Sequence, residues 1–199
     1  MVQIAASRPQ PRFDGRRAQI LRRAAGAFRR RGFHGTGMRD IARALGMTPG
    51  ALYYYFRGKR DLLYFCQRHS LGRLLDAERS IVSGPGREDE KIRALLRAHL
   101  ETLLDETGGS AAHLEFLALP ASRRPWIAAQ RDAYERRLRR LIASGVRSGV
   151  LRAVDPKLAS LAILGAVNWT VVWYRPTGPR KPSEIAASFA DTLVRGLLA

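Results

Sequence analysis

Apolar residues recur along the chain at spacings of three and four, and no stretch alternates with period two over a convincing length. The pattern predicts an all-α fold. Ile20, Ala24, Ala27 and Phe28 make the stripe of a first helix over about 14–31, with Asp14 as a candidate N-cap and arginines on the other faces. Gly32 ends it, because glycine enters the left-handed conformation at little cost. Met38, Ile41, Ala42 and Leu45 mark a short second helix, capped by Thr36 or Gly37 and stopped at Gly46. Thr48 caps a third helix over about 49–55, and Pro49 fills its first position, where no N–H is needed. Arg57-Gly58 breaks the pattern, and a fourth helix runs from Lys59 to about Val82.

Ser83-Gly84-Pro85-Gly86 reads as a linker. Helical patterns then cover about 88–105, 110–119, 125–148, 156–174 and 183–198, separated by Gly108-Gly109, Pro120, Gly149 and the Pro176, Gly178 and Pro179 cluster. Residues 1–13 have no period and read as a mobile arm. The expected organisation is an arm at 1–13, a helix-turn-helix domain at 14–58, and an effector-binding and dimerisation domain at 59–199.

Charge adds a partner to this picture. The formal net charge is +18, and residues 1–60 hold 14 of the 35 basic residues but only two of the 17 acidic ones. A solvated, Arg-rich surface would explain the excess alone; its skew towards one end favours nucleic acid. The single cysteine, Cys66, excludes an internal disulfide framework and agrees with a reducing compartment. The N-terminus shows no apolar signal region. The longest apolar-rich stretch, 158–174, contains Ser160, Asn168 and Thr170 and is shorter than the ~20 residues that span a bilayer. A cytoplasmic protein with no membrane partner is expected.

Two short helices joined by Gly46-Met47-Thr48 form a helix-turn-helix pattern. Small Ala42 and Ala44 let the helices cross closely, and Thr48, Pro49, Gly50 and Ala51 keep the start of the third helix slim enough for a major groove. Tyr53, Tyr54 and Tyr55 follow, but a helix turns about 100° per residue, so all three cannot face DNA. Tyr55 with Phe56 is the candidate for the core. The run from Gly32 to Leu63, with Thr36-Gly37-Met38-Arg39-Asp40-Ile41-Ala42, Gly46-Met47-Thr48-Pro49-Gly50-Ala51-Leu52-Tyr53-Tyr54-Tyr55-Phe56 and Lys59 in its frame, resembles the signature of the TetR family of repressors. The resemblance implies double-stranded operator DNA as partner and Thr36, Arg39, Thr48, Pro49, Gly50, Tyr53, Tyr54 and Lys59 as DNA-contact positions. It also implies a homodimer with a helical effector domain. Gly37 departs from the family's usual Ser or Thr and removes one hydroxyl.

The stretch from Asn168 to Pro179 is similar to the penultimate-helix ending of TetR-type repressors of lipid and sterol-ring breakdown, several of which respond to acyl-CoA thioesters. That implies a small hydrophobic effector of this class, with Phe65, His69, Phe116, Trp169 and Trp173 as ligand-binding candidates. Trp169 and Trp173 share a helix face and read equally as core or interface aromatics. Asn168 is unusual in so apolar a helix, since a buried amide needs partners, which bundle packing alone could supply. Leu161, Leu164 and Val172 on one helix, and Ile185, Phe189, Leu193 and Leu197 on the last, are the expected dimer seam. Arg136, Arg137, Arg139 and Arg140 read as a solvated face, or as an attraction for a phosphate-bearing effector.

Nothing points to an enzyme. His34, His69, His99 and His113 lack metal-ligand spacing, and no phosphate loop, GxGxxG or GxSxG occurs, so no metal or cofactor is expected. The expected function is a transcriptional repressor released from its operator by a small hydrophobic effector. The alternatives are a sensor of generic drug-like ligands and a non-regulatory basic DNA-binding protein, which would need only the first ~60 residues.

Overall fold

A computed structural model describes residues 11–105 and 115–199. Among them the chain forms eight α-helices. They are α1 (Pro11–Arg31), α2 (Met38–Ala44), α3 (Pro49–Tyr55), α4 (Lys59–Ser83), α5 (Glu88–Leu104), α6 (Arg124–Arg147), α7 (Pro156–Trp173) and α8 (Pro182–Arg195). A 3₁₀ turn, Ala121–Arg123, leads into α6. A single antiparallel bridge joins Leu151 to Leu198. No helix among the described residues is long and apolar enough to cross a membrane.

The elements follow the pattern with three corrections. α1 begins at Pro11, not Asp14, because proline is preset for the first turn and gives up no needed donor. Residues 1–10 of the expected arm lie outside the described residues. The helix expected over 110–119 lies partly outside the described residues, and Glu115–Leu119 is bend and turn, closed by a Leu119 N–H to the Phe116 carbonyl at 3.2 Å. Pro120 disfavours helical backbone just before it. The last helix stops at Arg195, and the chain ends in the bridge.

The N-terminal unit closes on Ile20, Ala24, Phe28, Ile41, Leu52 and Phe56, all 1% exposed or less. Gly32 and Gly46 take φ of +71° and +62°, which lets the chain reverse after α1 and α2. The expected boundary at residue 59 is not a break in packing. The first turns of α4 bury Leu62, Leu63 and Cys66, and α4 packs on α1, so the small core extends into the long helix. Cys66 Sγ lies 3.8 Å from the Leu21 carbonyl oxygen, and burial pushes its thiol up to about 12. In the larger domain α5 is the central rod. It buries Ile92, Leu95, Leu96, Leu100, Leu103 and Leu104 and packs against α4, α6, α7 and α8.

Candidate nucleic-acid interface and effector cavity

The α2–α3 pair presents an exposed ridge. Thr48 caps α3 by accepting a hydrogen bond from the Ala51 N–H at 3.2 Å, and Pro49, Gly50 and Ala51 behind it are exposed. Tyr53 and Tyr54 are 52% and 77% exposed, large values for aromatics that a fold could have covered. Tyr55 packs on the core and Phe56 is buried, as the 100° turn per residue requires. Arg39 is exposed on α2. Arg39 on α2 and Thr48, Tyr53 and Tyr54 at α3 thus present polar groups to solvent.

Two positions carried over from the family signature are placed otherwise. The Thr36 hydroxyl is buried and donates to the Gly32 carbonyl at 2.7 Å, with the Ala27 carbonyl at 3.3 Å, so it satisfies the open end of α1. Lys59 Nζ donates to the Phe33 carbonyl at 2.8 Å and to that of His34 at 3.4 Å, and sits 4.4 Å from the centre of the Phe33 ring. Two of the ammonium's three N–H directions are therefore spent inside the protein. At Gly37 no hydroxyl can accept from the start of α2, and only the other half of a capping box is made, Asp40 Oδ2 accepting from the Gly37 N–H at 2.9 Å.

Inside the larger domain a cavity of about 140 Å³ lies between α4, α5, α6 and α7. Leu71, Leu74, Leu103, Ile127 and Leu164 supply its apolar wall. Gln67, His99, Arg131, Tyr134 and Asn168 supply unusual polarity for such a place. His99 Nδ1 and the Tyr134 hydroxyl are 3.1 Å apart, and Arg131 Nη2 donates to Gln67 Oε1 at 3.2 Å. Burial holds the His99 imidazole down at about 4; the Asn168 amide opposes that shift and Arg131 adds to it. The ring is neutral at pH 7. Burial also raises the Tyr134 phenol, helped by Glu78, and lowers Arg131. The opposing effect of Asn168 is a side-chain hydrogen bond with His99.

The expected ligand residues fall elsewhere. Phe65 lies at the junction with the N-terminal unit, with the guanidinium of Arg17 at 4.6 Å and that of Arg123 at 5.6 Å from its ring centre. His69 is on the outer side of α4, its pKa lowered by partial burial and then by Arg73 and Arg22. Phe116 stands one residue back from the cavity, under Arg131 at 5.3 Å. Trp169 is 63% exposed and Trp173 42%, so neither walls the cavity: α7 turns its larger aromatics outward because Ile163, Val167 and Thr170 occupy its inner face. Trp173 instead stacks on Phe189 at 5.8 Å.

Those tryptophans join a stripe. Leu158, Leu161, Trp169, Val172 and Trp173 are all exposed along one side of α7. The expected seam is thus corrected in three places. Leu164 lines the cavity, and Ile185 and Leu197 are 8% and 7% exposed because α8 packs them inward. Phe189 and Leu193 are partly buried on the core. The α6 arginines split likewise. Arg137 pairs with the buried Glu78 at 2.8 Å and Arg139 approaches Glu135 at 3.8 Å, while Arg136 and Arg140 are exposed.

The sequence reading missed Gln67, Arg131 and Tyr134. A signal existed: Arg131 and Tyr134 sit on the α6 stripe Ile127, Leu138 and Ile142, and Gln67 sits between Leu63 and Leu71 on α4. A polar residue at a core position of an amphipathic helix has to meet a partner or a ligand.

Two contacts link the halves. Arg123, just before α6, pairs with Asp61 at the start of α4, and Asp61 also accepts from the Arg57 N–H at 3.2 Å. An open cleft of about 1290 Å³ lies between α1 and the end of α7, edged by Arg22, Arg23, Arg30 and Arg175.

Comparison with known proteins accords with this architecture. Residues 20–64 match the model of bacterial regulatory proteins of the tetR family, and residues 85–197 match that of the tetracyclin repressor-like C-terminal domain. A transcriptional repressor from Rhodococcus jostii, KstR2, is 28% identical over 194 residues, with 92% of each chain covered. The crystal structure of PfmR, a TetR family regulator from Thermus thermophilus, aligns with a TM-score of 0.81 at 32% identity over 91% of this chain and all of that one. AibR, solved in complex with isovaleryl coenzyme A and operator DNA, aligns with a TM-score of 0.74 at 28% identity, covering 92% and 98%. With both halves matched, the chain belongs to the TetR family of bacterial transcriptional regulators.

Proposed function

We propose that the chain is a homodimeric repressor that leaves its operator when an acyl-CoA thioester places its acyl part in the α4–α7 cavity. The observation that carries this reading is the cavity itself, a space between four helices with a half-buried arginine in a domain coupled to an exposed helix-turn-helix. Its volume is close to that of a cavity that takes benzene, at about 150 Å³, so a short acyl group suits it and a long chain does not. AibR, a relative in fold and sequence, has been captured with isovaleryl coenzyme A. The arginines of the α1–α7 cleft offer a place for the nucleotide's phosphates.

On the DNA side Arg39, Thr48, Pro49, Gly50, Tyr53 and Tyr54 form the groove-facing edge, with the remaining Lys59 N–H directed at phosphate. Dimerisation uses the α7 stripe, which the described residues leave exposed. Release requires that the ligand bind the DNA-incompetent conformation more tightly than the competent one. The Arg123–Asp61 pair gives it a lever on the turn between α3 and α4.

The test is an operator gel shift titrated with acyl-CoA thioesters of graded size, free fatty acids and planar drugs. Release by short-chain thioesters supports the reading. Release by drugs and by no thioester rejects it in favour of a generic hydrophobic sensor. Equal affinity for operator and scrambled DNA would leave a non-regulatory DNA-binding protein, since specific sites exceed random ones by about 10³ or more.

A further inference from the structure

The cleft of about 1290 Å³ between α1 and the end of α7 straddles the two halves of the protomer. Arg22, Arg23 and Arg30 reach it from α1, and Arg175 from the turn after α7. All four are exposed, and among the described residues none of them makes an ion pair with a carboxylate. The two acids at the rim are engaged elsewhere, Asp105 with Arg73 at 2.7 Å and Glu115 with the His34 ring at 3.8 Å. Gly26 forms part of the floor, in the middle of α1, where alanine would favour the helix. Beyond its own helix backbone, and among the described residues, a Cβ there would meet within 4 Å only Arg30 Nη1, at 3.4 Å. Packing does not demand this glycine; it leaves the backbone open to what lies in the cleft. The cleft and the acyl cavity are neighbours. Thr102 and Asn168 line the cavity, and Asp105 and Val171, each three residues further on, line the cleft. The ends of α5 and α7 therefore pass from one to the other within a helical turn.

We infer that the cleft takes the phosphate-bearing end of the effector and that this end supplies the larger part of the switch. The inference rests on the thioester reading and divides its ligand: the acyl group in the cavity selects, and the nucleotide in the cleft acts. The ligand class is a nucleotide with at least two phosphate groups, because guanidinium groups on two separate elements need several anionic oxygens to engage them together. Phosphates held by Arg22, Arg23 and Arg30 on one side and Arg175 on the other tie α1 to the end of α7. They fix how the N-terminal unit sits on the larger domain, and with it the spacing of the two recognition helices in a dimer. Charge gives the sign. Residues 1–60 hold 14 of the 35 basic residues and two of the 17 acidic ones, and the ligand sets negative charge against that unit, where it opposes DNA phosphates. The acyl group's own lever, through Arg123 and Asp61, acts at the turn between α3 and α4. A ligand without phosphates works that lever alone.

The test compares a short acyl-CoA with the matching acyl-pantetheine, which keeps the thioester and lacks every phosphate, and adds coenzyme A and inorganic pyrophosphate alone. Calorimetry on the full chain reads binding. An operator gel shift reads release, with each variant scored against its own operator affinity without ligand. Coenzyme A should bind without an acyl group, and pyrophosphate should compete with it. At saturation the acyl-CoA should weaken operator binding at least about tenfold more than acyl-pantetheine does. Arg175→Gln removes one guanidinium and Gly26→Leu fills the floor; each should weaken coenzyme A binding at least about tenfold while the helical melt persists. Arg23→Gln serves if either variant does not fold. Coenzyme A that fails to bind overturns the inference, as does an affinity for it that all these substitutions leave intact. Release by pyrophosphate as full as by coenzyme A overturns the nucleotide class. The two readings fail separately. Release by acyl-pantetheine as complete as by acyl-CoA sinks this inference alone, whereas coenzyme A that binds and releases operator, with no gain from any acyl group, sinks the acyl reading alone.

Discussion

The ridge of α2 and α3 and the cavity between α4 and α7 hold their polar groups in opposite environments. On the ridge, Thr48, Tyr53 and Tyr54 stand in water and owe their positions to a turn and two caps within a few residues of them. In the cavity, Gln67, His99, Arg131, Tyr134 and Asn168 come from four helices and are placed by the packing of the whole domain. Surface groups on a rigid local frame tolerate substitution without loss of fold. Interior groups do not, because each removal leaves another group unsatisfied. Recognition of DNA and recognition of a ligand should therefore respond to mutation in different currencies, specificity at one end and stability at the other.

The largest effect should come from the surface that belongs to neither region. Leu161→Asp with Trp169→Asp alters exposed α7 positions, so the protomer should keep its fold and lose its partner. A monomer offers one recognition helix in place of two, and operator affinity should fall by about 10³-fold. Sedimentation equilibrium and a gel shift read both quantities. A dimer that persists at micromolar concentration would move the interface off α7.

Acid should expose the interior next. His99 is held near 4 when folded, well under its ordinary value of 6.5, so the unfolded chain binds the extra proton first. The stability that the neutral ring contributes is complete above pH 6.5 and drains away as pH falls towards 4. Two and a half pH units correspond to about 3 kcal/mol. His99→Gln should flatten that part of the curve relative to the unaltered protein, in urea melts taken from pH 7 to pH 4. Parallel curves would mean that the ring is not buried neutral.

A pair of single substitutions sets the two environments side by side within the N-terminal unit. Thr36→Val removes a buried donor to two carbonyls and should cost about 1–2 kcal/mol in unfolding while the ratio of operator to scrambled binding stays put. Tyr53→Ala should do the reverse, lowering that ratio about tenfold with an unchanged melt. If Thr36→Val changes the ratio as much as Tyr53→Ala does, the distinction drawn between these positions fails.

The smallest effect belongs to Lys59. With its ammonium partly spent on the Phe33 and His34 carbonyls, Lys59→Met should reduce the slope of log K against log salt by less than the one unit of a fully committed phosphate contact. A drop of a whole unit would show that the internal bonds give way on DNA.

What could be read from the amino acids follows the same division. Gly32, Gly46, Thr48 and Pro49 act on their immediate neighbours, so the short helices and their turn are written locally. The apolar periods of α4 to α8 also give each helix and most of its inner face. Periodicity gives only one face per helix, and it does not say which of two apolar faces meets the core. Hence Ile185 and Leu197, assigned to a seam, are inside, while Trp169, assigned to a cavity, is outside. The cavity needed contacts between α4 and α6, separated by some sixty residues in pairs such as Gln67 with Arg131, which no local rule supplies. Asn168 stood out because a buried amide in so apolar a helix needs partners, but bundle packing could supply them and no local rule puts it on the cavity.

Cys66 gives the molecule a built-in reporter. It is the sole thiol of the chain, and it is shut beneath the seam where α1 lies on α4. Only a thiolate attacks a disulfide reagent, and a thiol held up near 12 supplies almost none while the seam is closed. Colour release from an aromatic disulfide therefore times the parting of α1 from α4, one sulfur per protomer, with no label or engineered residue. Followed with and without operator, that rate would measure how far DNA clamps the junction shut.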